Sequence, residues 1–186
     1  MIDLESIQNW IVFELWKYTG GSLDPTTGAI VTQGTPIVPQ NSMAPRPPYP
    51  FVTYNWIVPY IPEPGQPSLT GAVVEDEEET EWYKETRTEQ VGMTLSVNAY
   101  GGEPGETADT IMKAFRFFEF DRRDELRSFG VVVVDLSAMQ DRTLSLDGGG
   151  YEYRLGFDAN LRTTSMISRL IDLIGRVEIN DEVVQW

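Results

Sequence analysis

The sequence predicts an α+β domain from three features: an alternating strand, an amphipathic helix directly after it, and an all-apolar strand beyond that helix. Val91, Met93, Leu95, Val97 and Ala99 alternate with Gly92, Thr94, Ser96 and Asn98. A period of two belongs to a sheet with one buried face. Gly101-Gly102-Glu103-Pro104-Gly105 breaks that strand. Thr107 is placed to cap a helix with Asp109 in its first turn, where a carboxylate suits the helix dipole. Ala108, Ile111, Met112, Phe115 and Phe118 form its apolar stripe, with Phe117 and Phe120 off that stripe. Gly130 ends the helical region, and Val131-Val132-Val133-Val134 predicts a strand buried on both faces. The expected architecture is a mixed or antiparallel sheet with a long projecting hairpin. It packs against an N-terminal helix and this central crossover helix. One domain over 1–186 is expected, with loop insertions at about 20–50 and 59–81.

The remaining elements follow in chain order. Asp3 to Tyr18 predicts the first helix, with Asp3 as its cap and Leu4, Ile7, Ile11, Leu15 and Tyr18 as one stripe. Trp10, Phe13 and Trp16 lie on another side of it by the 100° step per residue. A helix apolar on nearly all sides needs cover on nearly all sides. Either the chain's own loops or a neighbouring subunit supplies it. Gly20-Gly21 stops the helix. Eleven of the twelve prolines fall between Pro25 and Pro67, so that part is irregular or extended. Pro45, Pro47, Pro48 and Pro50 read as a stiff loop on their own domain, with a polyproline ligand as the alternative. Val52, Tyr54, Trp56 and Val58 share one face of a strand bounded by Pro50 and Pro59. Ile61 to Thr70 is a further proline-rich loop, and Trp82 to Gln90 extends the Val91–Ala99 strand outward.

Asp121 to Arg127 predicts a short helical turn with Asp121 as its cap. Thr143–Leu146 and Tyr151–Leu161 flank Asp147-Gly148-Gly149-Gly150, a hairpin signal. The second arm alternates with Tyr151, Tyr153, Leu155, Phe157, Ala159 and Leu161 on one side and Glu152, Arg154, Asp158, Asn160 and Arg162 on the other. Ile167, Leu170, Ile171 and Ile174 have helical spacing, but β-branching keeps a strand open. Val177 and Ile179 read as a last short strand.

Composition narrows the chemistry. The 186 residues contain no cysteine and no histidine, which removes thiol and imidazole catalysis and nearly all zinc sites. The acidic start, Met1-Ile2-Asp3-Leu4-Glu5, lacks the basic region of a signal peptide. No apolar run approaches the ~20 residues of a membrane span. A net charge of −15 disfavours tight binding to nucleic acid or anionic lipid. The ordinary reading of that charge is solubility; it would also let DNA pass a surface without sticking. The Gly101–Glu106 corner lacks the fingerprints of nucleotide loops, and Glu103 and Glu106 would repel a phosphate. Glu75, Asp76, Glu77, Glu78, Glu79 and Glu81 supply six carboxylates in seven residues. They read as a solvated loop, since the calcium-loop register of oxygens around a glycine is missing. No catalytic, cofactor or metal residue is expected.

The aromatic N-terminal helix and the long threonine- and charge-rich strand come first in an order that is informative as a whole. Val91-Gly92-Met93-Thr94-Leu95-Ser96-Val97-Asn98-Ala99-Tyr100-Gly101-Gly102 and a helix beginning Ala108-Asp109 follow. Tyr153-Arg154-Leu155-Gly156-Phe157-Asp158 and Ile171-Asp172-Leu173-Ile174-Gly175-Arg176-Val177-Glu178-Ile179 close the series. Over about Asp3–Tyr18 and Phe51–Ile179 this order resembles the neck or tail-terminator proteins of long-tailed bacteriophages. Pro25–Pro50 and the acidic run depart from it and look like insertions. The resemblance implies a structural α+β protein of the virion neck, put together in the host cytoplasm. It implies a homohexameric ring that caps the tail tube, ends its polymerisation and joins the tail to a head-completion or connector protein. A sheath is a further possible neighbour, and genomic DNA passes through without sequence-specific binding. Trp10, Phe13, Trp16, Phe117 and Phe120 are the expected subunit contacts. Glu75 to Glu81 is expected to face the lumen or a neck partner. The alternatives are another neck component such as a head-completion protein, a small carboxylate-dependent carbohydrate-active enzyme, and a monomeric module displaying its proline-rich segment.

Overall fold

The computed structural model describes residues 3–65, 67–75, 81–146, 150–172, 176–179 and 182–185, with side chains for all of these except 75, 81 and 172 onward. Helix α1 (Leu4–Tyr18) is followed by three short strands, β1 (Ser22–Leu23), β2 (Ile30–Thr32) and β3 (Ile37–Pro39). Then come β4 (Phe51–Pro62), β5 (Ser68–Glu75) and the long β6 (Glu81–Gly101). Helix α2 (Pro104–Arg116), a π-helical turn (Phe117–Asp121) and α3 (Arg123–Ser128) lead into β7 (Val131–Leu136). Strands β8 (Gln140–Asp141), β9 (Leu144–Leu146), the long β10 (Gly150–Asp172), β11 (Arg176–Ile179) and β12 (Glu182–Gln185) complete the chain. The fold is α+β.

The main sheet has the order β3-β4-β6-β10-β7, with β5 on β6 and with β8 and β9 on β10. Strands β3 and β4 are parallel; β4–β6, β5–β6 and β10–β7 are antiparallel. Side-chain pairs Thr86–Ser168, Gln90–Thr164 and Thr94–Asn160 show that β6 and β10 also run antiparallel, since each step up one strand is matched by a step down the other. Strands β6 and β7 therefore lie parallel with β10 between them, a split crossover through α2. No described helix is long and apolar enough to cross a membrane.

Contacts divide the chain into two compact units. The larger holds residues 3–62 and 91–163. Its core is the helix-facing side of the sheet, where Ile7, Ile11 and Leu15 of α1 are buried. Val91, Met93, Leu95, Val97 and Ala99 of β6, and Phe157, Ala159 and Leu161 of β10, are buried with them. Each such side chain contributes roughly 1.5–3 kcal/mol when fully buried. Asp3 caps α1, its Oδ1 accepting from Ser6 N at 2.9 Å, and Gly20 ends it at φ +107°. The smaller unit includes residues 63–90 and 164–186. In it β5 pairs with β6 from Ser68–Thr88 to Glu75–Glu81, and β11 pairs with β12.

Several expectations need correction. Thr107 does not cap α2: the helix starts at Pro104 after Glu103, because proline suits the first helical position. Thr107 and Thr110 lie on its buried side, their hydroxyls donating to the carbonyls of Glu103 and Glu106 at 2.9 and 2.8 Å. A threonine that satisfies its own hydroxyl can face a core. The buried side is thus Thr107, Thr110, Ile111 and Ala114, continuing into Phe117 and Phe118, and Met112 is exposed. Strand β7 is buried on one face only, with Val131 and Val133 inside and Val132 and Val134 exposed, because no described layer covers its second side. Helix α3 begins after Arg122, not at Asp121, because the wider π turn occupies Phe117–Asp121. Strand β4 runs past Pro59 to Pro62, accommodating the prolines where its register with β6 shifts. Part of the stretch read as loop at 59–81 is strand β5, held by its ladder to β6. Ile167, Leu170 and Ile171 lie in β10, so β-branching prevails over helical spacing there. In the first residues of β10 Tyr151 is exposed and Glu152 buried, because Arg46 and Tyr49 of the proline-rich arm bond to Glu152.

Three carboxylates stabilise turns from the surface. The hydrogen bond from the Ser6 hydroxyl, then that from Ser6 N, holds Asp3 below its ordinary pKa. The Thr27 and Thr26 N–H groups do so for Asp24, and the Thr143 hydroxyl and N–H for Asp141. A depressed carboxyl pKa contributes stability that is present above the unfolded value and lost as pH falls through the folded one. Unfolding by urea is expected at lower concentration at pH 3 than at pH 6, and Asp3→Asn should narrow that difference.

Candidate assembly surface

Helix α1 presents the aromatic side chains that its buried stripe leaves over. Trp10 is half-buried and stacks on Phe129, with ring centroids 4.9 Å apart and planes 11° from parallel. Phe13 stacks on Trp16 at 6.1 Å and carries Lys17 Nζ 4.8 Å above its ring. Phe13 is 41% exposed, as is Phe129 at 40%. Trp16 is half-buried and lies over Gly21, where an added Cβ would come within 2.3 Å of the indole. Four aromatic rings of this unit therefore form two stacked pairs, each with one member open to solvent.

The π-helical turn divides the phenylalanines that follow α2. Phe117 and Phe118 are fully buried, and Phe120 is 81% exposed. Phe117 meets Tyr18 and Phe118 edge-on at 5.8 and 5.1 Å. The protomer's own core takes Phe117, so it is withdrawn as an exposed contact residue. Its apparent position off the stripe came from phasing the helix on Met112 and Phe115 instead of the buried threonines. Next to Phe120, the Asp121 carboxylate accepts a hydrogen bond from the Tyr18 hydroxyl. That bond, the largest influence on it, raises the pKa of Tyr18. It ties the end of α1 to the turn that displays Phe120.

The acidic run is only partly described. The backbone of Glu75 pairs opposite Glu81 at the end of the β5–β6 ladder. Asp76, Glu77, Glu78, Glu79 and Thr80 lie outside the described residues, as do the Glu75 and Glu81 side chains and the Asp147-Gly148-Gly149 tip.

Phe129 is a surface aromatic that sequence reasoning missed; its only local signal is a large apolar residue just before Gly130, the helix-ending residue at φ +88°. Also unforeseen is a polar layer on the sheet face away from the helices. Arg142 Nη1 donates to Ser96 Oγ at 3.0 Å and to Asn98 Oδ1 at 2.7 Å, and its Nη2 reaches Asp158 at 3.2 Å. Arg46 pairs with Glu152, which also accepts from the Tyr49 hydroxyl at 2.9 Å. Burial, then this bond to Glu152, raises the pKa of Tyr49. These contacts hold the proline-rich arm on its own unit.

The elements present are a mixed sheet with stacked aromatics at its surface and arginine–carboxylate pairs on its far face. A match with the family described as phage neck terminator protein extends over residues 10–185, almost the whole chain and both of its units. No curated protein matches the chain. Since the match takes in the aromatic helix, the split crossover and the long hairpin together, the chain belongs to the phage neck terminator protein family, a family of structural proteins of the virion.

Proposed function

We propose that this neck protein is the tail terminator: a homohexameric ring that caps the tail tube, ends its polymerisation and joins the tail to the head-completion or connector protein. The family match over residues 10–185 carries the reading. In a contractile tail the sheath is a further neighbour. Assembly takes place in the host cytoplasm, and the ring then sits in the neck. Genomic DNA passes through its centre. Six copies at −15 each carry −90, and like charge lets the duplex slide without being gripped. Glu75 to Glu81 faces the lumen or a neck partner in this arrangement.

Ring contacts are heterologous, one patch of a protomer meeting a different patch of the next. The outward members of the aromatic pairs suit such a contact. Those members, Phe13 and Phe129, together with the separately exposed Phe120 and the half-buried Trp10 and Trp16, offer apolar area that water leaves on closure. The double variant Trp10→Ala/Phe120→Ser should stay folded and shift the solution mass, read by light scattering, from ring towards protomer. An unchanged ring mass would remove these residues from the interface. The role itself is tested by micrographs of virions made without the protein. Overlong tubes identify the terminator; normal-length tails beside unjoined heads identify a head-completion protein instead.

A further inference from the structure

Helix α2 carries its charges by halves. Glu103 at its N-cap is exposed and makes no capping bond with its side chain. Glu106 and Asp109 in the first two turns are exposed, as are Lys113 and Arg116 in the last. Carboxylates at the start of a helix and cations at its end suit its dipole. That accounts for α2 itself and for nothing beyond it. Arg122, Arg123 and Arg127 follow the helix, and Phe120 among them is 81% exposed. Lys113 to Arg127 sets five cations against Glu119, Asp121, Asp124 and Glu125, a balance of +1, so the rest of the chain carries −16.

Most carboxylates around Phe120 are already engaged. Glu125 pairs with Arg122 at 2.7 Å, Glu14 of α1 pairs with Lys17 at 2.6 Å, and Asp121 holds the Tyr18 hydroxyl. Arg116 and Arg127 are exposed and in no ion pair among the described residues. An open phenyl ring beside uncommitted guanidinium groups fits a surface with an apolar ledge and free carboxylates. The other end of α2, about 20 Å away along its 13 residues, has that make-up. Tyr49 is 43% exposed there, and its ring and the Glu106 carboxylate both flank Gly102, 3.9 Å from where a Cβ would stand. Pro104 is exposed beside Glu103. Arg46, the cation nearest Tyr49, is committed to Glu152.

We propose that the Phe120 surface of one copy docks on the Tyr49 end of α2 in a second copy, with Arg116 and Arg127 facing Glu103 and Asp109. Each copy offers one patch of each kind, so the contact is heterologous and repeats from copy to copy. Charge complementarity of this sort fixes register and partner more than raw affinity. Closure into a ring rests on the terminator reading; the pairing of the two patches does not.

The test uses two charge-reversed chains. Arg116→Glu/Arg127→Glu makes both patches acidic. Glu103→Lys/Asp109→Lys makes both basic and spares Glu106, whose carboxylate accepts from Gly102 N at 3.1 Å. Surface changes of this kind leave a fold standing, and thermal melts check it. By light scattering each variant alone should be a protomer, while a one-to-one mixture should regain the parent's assembled mass by alternating. Phage complemented with either variant should lose joined tails, and with both together should regain them. This arm reads the contact even where the free parent is a protomer. A variant that assembles or complements alone overturns the pairing, as does a mixture of folded variants that fails to recover. Recovery to a mass that is not a closed ring keeps the pairing and removes the ring.

Discussion

Phe118→Ala is expected to lower the stability of the larger unit by about 3–5 kcal/mol, the range for deleting a buried phenyl ring. Phe118 is fully buried, meeting Phe117 at 5.1 Å and Phe157 at 6.0 Å in edge-to-face geometry. Together with Ile11 and Leu15 of α1 and Val52, Leu95 and Val97 of the sheet, it lines the space where α1, the π-helical turn and the sheet converge. No one element can relax into the gap without breaking contact with the other two. Since domains are stable by only about 5–15 kcal/mol in total, the urea midpoint should fall by about a fifth or more. Phe118→Leu should recover part of the loss. A midpoint change under about a tenth would show that the three elements do not meet at this ring.

Gly156→Ala should cost about 1–3 kcal/mol by overpacking. An added Cβ would come within 2.3 Å of Asn98 Oδ1, 2.9 Å of Arg142 Nη1 and 2.9 Å of the Val97 carbonyl oxygen. The last of these is backbone and cannot swing aside. The first two belong to the polar layer, so the clash also disturbs the hydrogen bonds Arg142 makes to Ser96 and Asn98. Chemical denaturation gives the stability. Loss of the Asn98 side-chain amide signal from its native position gives the local effect. An alanine variant as stable as the parent would mean that β6 and β10 are further apart here than described.

Much of this was legible in the sequence where one signal dominated. The alternation of Val91 to Ala99 gave a strand because every second residue goes to one core. Asp3 gave a cap because Ser6 N has no other partner in a first turn. Legibility failed where polar groups do core work. Thr107 and Thr110 satisfy themselves within α2, so counting apolar residues placed Ile111 and Phe118 correctly but turned the stripe toward the exposed Met112 and put Phe117 off it. It failed again where pairing is non-local. Strand β5 exists because β6 runs beside it, and nothing within Ser68–Glu75 announces that. Of the surface aromatics, Trp10, Phe13, Trp16 and Phe120 could be named from spacing alone, but Phe129 could not, because stacking on Trp10 is a tertiary fact.

Strand β7 pairs, among the described residues, only with β10, and carries Val132 and Val134 outward. A bare rim of this kind invites recruitment of stray strands. Arg123 Nη2 donates to the Val133 carbonyl at 3.0 Å, so a guanidinium occupies part of the template that an intruder would have to copy. The valines that secure the core of this edge thus come with a gatekeeper from α3. Arg123→Ala would free that carbonyl for an incoming strand.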